Sequence, residues 1–229
     1  MPAAKTSRTR GPGQKAGLSR ESVLDHALTL VDRVGLAALT MRGLGAELGV
    51  EAMTVYHYVP TKDALLDGIL ERAFTLATPD IDTTRPWQES LHDYAHGLYQ
   101  GLLRHPGVLP LASSRPAATP DMLDRAEDYL RLLVDAGFAL GRALHMVNAL
   151  TVFVIGHATA AAAVRTAAQG ASQEPEADAG STAWVAGLDA DRYPLLVEAA
   201  RTGQGTDDDE RFAFAVDSLI TGFADRGPA

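Results

Sequence analysis

Apolar residues recur along most of this chain at intervals of three and four, the spacing of helices that each bury one face. Val23, Leu24, Ala27, Leu28, Val31 and Val34 form the first such stripe. Ser19 suits the N-cap and Gly35 the stop, which predicts a helix ending at about Val34. Leu44, Leu48, Val50 and Val55 then place two short helices around one small core. Thr40 caps the first of these, and Gly49 turns the corner where a positive φ is needed. The second runs roughly from Ala52 to Tyr58 and stops before Pro60. Thr61 caps a longer helix from Lys62 to about Ala77, with Leu65, Leu66, Ile69, Leu70 and Phe74 on its buried face.

After a connector, Thr78 to Arg85, Pro86 fits the first turn of a helix that reaches Arg104. Trp87, Leu91, Tyr94, Ala95, Leu98 and Leu102 give it an apolar side. His105 to Leu111 is a broken apolar piece and Ala112 to Pro120 reads as a loop. The next helix carries Leu123, Ala126, Leu130, Leu133 and Val134 and ends at Gly137. Leu140 to about Ala168 has no acidic residue and many small ones, which predicts a helix covered on several sides. Gln169 to Thr182 reads as a flexible loop and Tyr193 to Arg201 as a short helix. A last helix, about Glu210 to Ala224, takes Thr206 or Asp207 as its cap and carries Phe212, Phe214, Val216, Leu219, Ile220 and Phe223. No strand pattern and no internal repeat emerges, so the predicted fold class is all-α.

Composition narrows the class. Of 229 residues, 46% are hydrophobic, enough for a folded chain with a substantial core. There is no cysteine, hence no disulfide framework or thiolate metal site. No apolar stretch is uninterrupted long enough to predict a membrane span, and no secretory signal is evident, which suggests a cytoplasmic protein. The net charge of −9 argues against a general nucleic-acid coat. Its distribution matters more. The first 20 residues hold Lys5, Arg8, Arg10, Lys15 and Arg20 and no acid, leaving 15 basic against 29 acidic side chains beyond them. Such asymmetry suits a nucleic-acid contact confined to one end.

The stretch Thr40 to Lys62 has the shape of a helix-turn-helix, whose second helix can enter a DNA major groove. Arg42 and Lys62 flank that helix and can meet phosphate or a guanine edge. Thr54 and Tyr56 can donate to phosphates. Ala52 and Met53 can touch a thymine methyl, and Tyr58 can contact backbone or base. Residues 1–18 read as a disordered basic arm, residues 19–66 as the DNA-binding domain, and residues 67–229 as a second helical domain. His92 and His96 are four apart on a helix, a spacing that can hold a metal, but no third ligand accompanies them. No nucleophile–base arrangement, phosphate-cradling loop or HExxH pattern appears. The sequence therefore predicts neither an enzyme nor a metal or other cofactor.

The segment LTMRGLGAELGVEAMTVYHYVPTKDALLDGI resembles the DNA-binding domain of the tetracycline repressor (TetR) family. PWQESL, SSRP and DAGFALGRALHMVNALTVFVIGH look like the regulatory domain of that family's tetracycline-responsive members. The resemblance implies a homodimeric, all-helical repressor bound to palindromic operator DNA and released by a small-molecule effector. An activator on the same fold, or a helical small-molecule-binding protein without DNA function, would be the alternatives. By the resemblance, Ser114, Arg115 and Pro116 align with a drug-contacting loop. Tyr94, Leu98, Leu111, Tyr129 and His157 complete the expected pocket. Leu111 stands where the pattern has a metal-binding His, Tyr94 where it has Asn, and Arg165 roughly where it has an acid. These departures imply no metal–tetracycline complex, and instead an apolar or planar ligand with a polar handle near Arg115. Ala52-Met53 replace a Gln-Pro pair and Tyr58 a His, which implies a different operator.

Overall fold

A computed structural model describes residues 18–116, 119–170, 185, 187–205 and 207–225. Residues 1–17 of the basic arm, most of the 169–182 segment and Thr206 lie outside the described residues. Every regular element among the described residues is helical.

Helix α1 (Arg20–Val34) starts with a reciprocal cap: Ser19 and Ser22 each accept from the other's backbone N–H, at 3.1 and 2.9 Å. A short 3-10 turn, Leu36–Ala38, leads to α2 (Met41–Leu48), capped by Thr40, and α3 (Ala52–Tyr58). Gly49 ends α2 in the left-handed region at φ 66. A Cβ at Gly45 would stand 3.0 Å from the Val50 carbonyl, so the corner is as tight as two helices allow. Leu24, Val31, Leu44, Val55 and Leu65 meet in one buried cluster. Val34, the last apolar residue of the α1 stripe, is exposed.

Helix α4 (Lys62–Ala77), capped by Thr61, runs unbroken past residue 66, the boundary expected between the domains. It packs against α1 on one side and against α5 (Trp87–Arg104) on another. There the backbones nearly touch: a Cβ at Gly97 would lie 2.3 Å from the Ala77 carbonyl, and one at Gly101 2.2 Å from the Ala77 Cβ. Arg20 donates to the buried Glu71 at 2.8 Å, and Arg72 donates to Asp25 at 2.6 Å, fastening α1 to α4. At the far end of α1, Asp32 accepts from His105 Nδ1 at 2.7 Å and from the Gly107 N–H at 3.2 Å.

The expected broken piece and loop after α5 are more ordered. A 3-10 turn, Pro106–Val108, passes directly into α6 (Leu109–Ser114). Pro110 falls in the first helical turn, where its missing N–H has no partner to lose. Helix α7 (Pro120–Asp135) packs on α8 (Leu140–Gly170); α9 (Pro194–Thr202) and α10 (Asp208–Asp225) follow. Asp207, not the undescribed Thr206, supplies the α10 cap, accepting from the Glu210 N–H at 2.8 Å. Phe138 and Phe212 join the core, whereas Leu123, Val134 and Phe214 are exposed.

Helix α8 is covered on several sides, by α5, α6, α7 and α10, but not all round: Leu144, Val152 and Val164 remain exposed. Its Leu140–Thr166 stretch is long and apolar enough to cross a membrane by composition alone. Periodicity reports how apolar a helix is, not whether its own chain or another covers it.

Candidate functional site

Two features stand at opposite ends of α4. The first is the outer side of the helix-turn-helix. Helix α3 buries Val55 and turns Met53, Tyr56 and His57 outward, with Met53 67% exposed. An exposed methionine on a seven-residue helix packs nothing in its own chain, so this face is free to meet a partner. Arg42 and Lys62 are exposed at the first turns of α2 and α4 and flank it. Ala52 and Thr54 are half-buried, and Tyr58 packs partly on the core. The expected DNA-contacting set thus falls into an exposed group, Arg42, Met53, Tyr56 and Lys62, and a half-buried group. His57, which the sequence reading did not single out, is also exposed, and its spacing of four from Met53 puts it on the same face.

The second feature is a cavity of about 250 Å³ between α4, α5, α7 and α8. Its walls include Phe74, Tyr94, Met122, Tyr129, Val147 and Thr151. The Tyr94 and Tyr129 rings lie 4.8 Å apart and tilted by 59°. Thr151 gives its proton to the Val147 carbonyl at 2.8 Å, which leaves Tyr94 to donate to Thr151 at 2.7 Å. Burial raises the Tyr94 and Tyr129 hydroxyl pKa values above the ordinary phenol range, so both are neutral donors. Arg125 stands at the edge, donating to Thr78 Oγ1 and its carbonyl at 3.0 and 3.1 Å.

Of the expected ligand contacts, Tyr94 and Tyr129 line this cavity and the others do not. Leu98 and Leu111 are buried in the core. Ser114 closes α6 and Pro116 is exposed beyond it. Arg115 is not a free polar handle: it donates to Asp63 at 2.7 Å and to Asp67, both on α4. The arginine at the cavity is Arg125 instead. His157 belongs to a separate cluster. It lies 3.3 Å from Asp208 Oδ1 without hydrogen-bond geometry, beside Tyr99 and Phe212. Tyr99 stacks on Phe212 at 4.0 Å and donates to Asp208 at 2.7 Å. Burial opposes ionisation of Asp208. The Tyr99 bond, nearby His157 and Arg211 outweigh it and hold the carboxyl below its ordinary range. His92 and His96 lie with ring centres 6.1 Å apart. No three His, Asp or Glu side chains converge on a metal position among the described residues.

A helix-turn-helix head joined by one continuous helix to a lined cavity defines a ligand-linked DNA-binding regulator. Comparison with known proteins gives the family. Residues 23–69 match the bacterial regulatory proteins of the tetR family, and residues 78–226 match the tetracyclin repressor-like C-terminal domain. The chain belongs to the TetR family. It is 32% identical over 213 residues to the class D tetracycline repressor protein of Escherichia coli, covering 91% of this chain and 90% of that one. It is 29% identical to the transcriptional repressor DrrR1 of Streptomyces coeruleorubidus, covering 95% of this chain and 81% of that protein. Among solved structures, the TetR family protein ActR of Streptomyces coelicolor in complex with actinorhodin superposes with a TM-score of 0.70 at 25% identity. That match covers 93% of this chain and all of ActR.

Proposed function

We propose that this chain is a transcriptional repressor that binds a palindromic operator as a homodimer and leaves it when a small molecule enters the cavity beneath Tyr94 and Tyr129. The observation that carries the reading is α4 itself. Lys62 at its start stands beside the exposed face of α3, and Phe74 near its end lines the cavity. A ligand that favours one tilt of α4 therefore biases the head, provided it binds the two arrangements unequally.

Homodimer formation follows from the uncovered side of the C-terminal helices. Val152 on α8 is 63% exposed and Phe214 on α10 is 75% exposed. A second copy, packed with two-fold symmetry, removes both from water and fixes the distance between two α3 helices. Met53, Tyr56 and His57 present the side chains that read bases, and Arg42 and Lys62 hold phosphates. The boundary between a reading domain, 19–66, and an effector domain, 67–229, then falls inside a shared lever.

The effector is not a magnesium-chelated tetracycline in this reading. Leu111 is buried in the core, Tyr94 is tied to Thr151 and Arg165 is exposed, so none offers an oxygen or imidazole ligand to a cation in the cavity. Gel-shift titration with DNA from upstream of the coding region tests the head. Arg42→Ala and Tyr56→Ala each weaken binding by about tenfold or more. Undiminished binding by both variants contradicts the assignment.

A further inference from the structure

The cavity has an outer extension. A groove of about 710 Å³ runs along the other side of Tyr129, between α7 and the 78–86 connector, with Trp87 at its end. Arg125 and Tyr129 line both spaces. At about 250 Å³ the inner cavity alone is smaller than usual for a drug-sized ligand, so a ligand filling it must extend past these two residues.

The two spaces differ in chemistry. The inner one is aromatic and aliphatic. The outer one is acidic: Asp124, Asp128 and Asp135 follow one another along a single face of α7 and line the groove. Every arginine there is already engaged. Arg85 donates to Glu89 at 2.8 Å and to Asp93. Arg131 lies 3.5 Å from Glu127 and 3.9 Å from Asp128. Arg125 serves Thr78 and lies 3.6 Å from Asp80. Asp124 and Asp135 have no such partner among the described residues. Between the spaces stands Tyr129, only 3% exposed, whose hydroxyl has no hydrogen-bond partner among the described residues. That hydroxyl borders both spaces, so it can donate to an acceptor atom of a ligand lying across them.

We infer that cavity and groove form one effector site for a cationic aromatic amphiphile. Its planar apolar body occupies the cavity, an acceptor atom takes the Tyr129 hydroxyl proton, and a protonated amine lies in the groove, in the field of the α7 face that carries Asp124, Asp128 and Asp135. This rests on the reading of the cavity as the effector site. It adds the ligand's charge and the direction in which it extends.

A matched pair of fluorescent probes tests it with the full-length protein. Dansylcadaverine has a naphthalene body, a sulfonyl acceptor and an amine tail; its N-acetyl derivative is neutral and otherwise alike. The amine binds about tenfold more tightly at low salt, and the preference shrinks in about 0.5 M salt. Asp124→Asn combined with Asp135→Asn removes the preference and leaves affinity for the neutral probe unchanged. Tyr129→Phe weakens both probes by about fivefold. Ala126→Trp fills the cavity and abolishes binding of both. Equal affinities, or a preference that survives the double substitution, overturn the groove assignment alone if Ala126→Trp still abolishes binding. Binding that Ala126→Trp leaves intact, or no binding of either probe, overturns the cavity reading as well.

Discussion

Arg115, which follows the last residue of α6, donates to Asp63 in the first turn of α4 at 2.7 Å, one residue beyond Lys62. The same guanidinium also reaches Asp67 one turn further along. The regulatory half of the chain thus grips the lever beside the residue that is proposed to meet DNA phosphate. Asp32, clasped by His105 and Gly107, makes a second such junction at the end of α1.

Arg115→Ala should therefore act on coupling more than on folding. The paired carboxylates are partly exposed, so the expected loss of stability is only about 1 kcal/mol. The effector concentration that half-releases operator should shift by about fivefold or more, a coupling energy of ordinary size. Thermal unfolding and effector-titrated anisotropy measure the two effects separately. A large melting shift with no change in release would show a purely structural clamp.

Leu98→Ala distinguishes a core residue from a ligand contact. Leu98 is fully buried outside the cavity. Its truncation should cost about 2–5 kcal/mol in urea denaturation. A nearly neutral effect on stability, with effector binding lost, would return it to the ligand site.

Val152→Glu and Phe214→Glu each place a charge on a face assigned to the second copy. Sedimentation should show dissociation toward monomer with helicity retained. Operator affinity should fall steeply, because two half-sites are no longer held together. An unchanged oligomeric state for both variants would remove this face from the interface.

Asp208 predicts an acid-sensitive junction between α10, α5 and α8. Its folded pKa is held below the ordinary aspartate range, so the ionised carboxylate stabilises the fold at neutral pH. The contribution is lost as pH falls through the folded value. Asp208→Asn should therefore lower stability at neutral pH and flatten the stability profile below about pH 4. Urea midpoints measured from pH 3 to 7 check both parts. A profile as steep as that of the unsubstituted protein would assign the dependence to other carboxylates.

The parts legible in the sequence were those governed by local rules. Ser19, Thr40 and Thr61 each accept a backbone N–H at the start of the helix they were expected to cap. Gly49 adopts the positive φ that the corner demanded. The less legible parts depend on distant partners. Arg115 has free donors in sequence; Asp63 and Asp67, some fifty residues earlier, consume them only in the fold. Pro106 and Pro110 look like breakers, yet both occupy first turns, and a 3-10 turn and α6 form around them. The cavity wall contributed by Met122, Ala126 and Leu130 had a helical pattern but no signal pointing inward. Asp124 and Asp135 read equally well as a solvated helix face; only the opposing connector and Trp87 turn that face into a groove wall.

The most direct test is a footprint on the DNA upstream of the protein's own coding region. Two protected half-sites should appear, centred about 10 bp or a multiple of that apart. Protection should disappear for Tyr56→Ala and weaken as an effector is added. Absence of protection at any accessible concentration, or protection that Tyr56→Ala and Arg42→Ala leave intact, would contradict a repressor that reads DNA through α3.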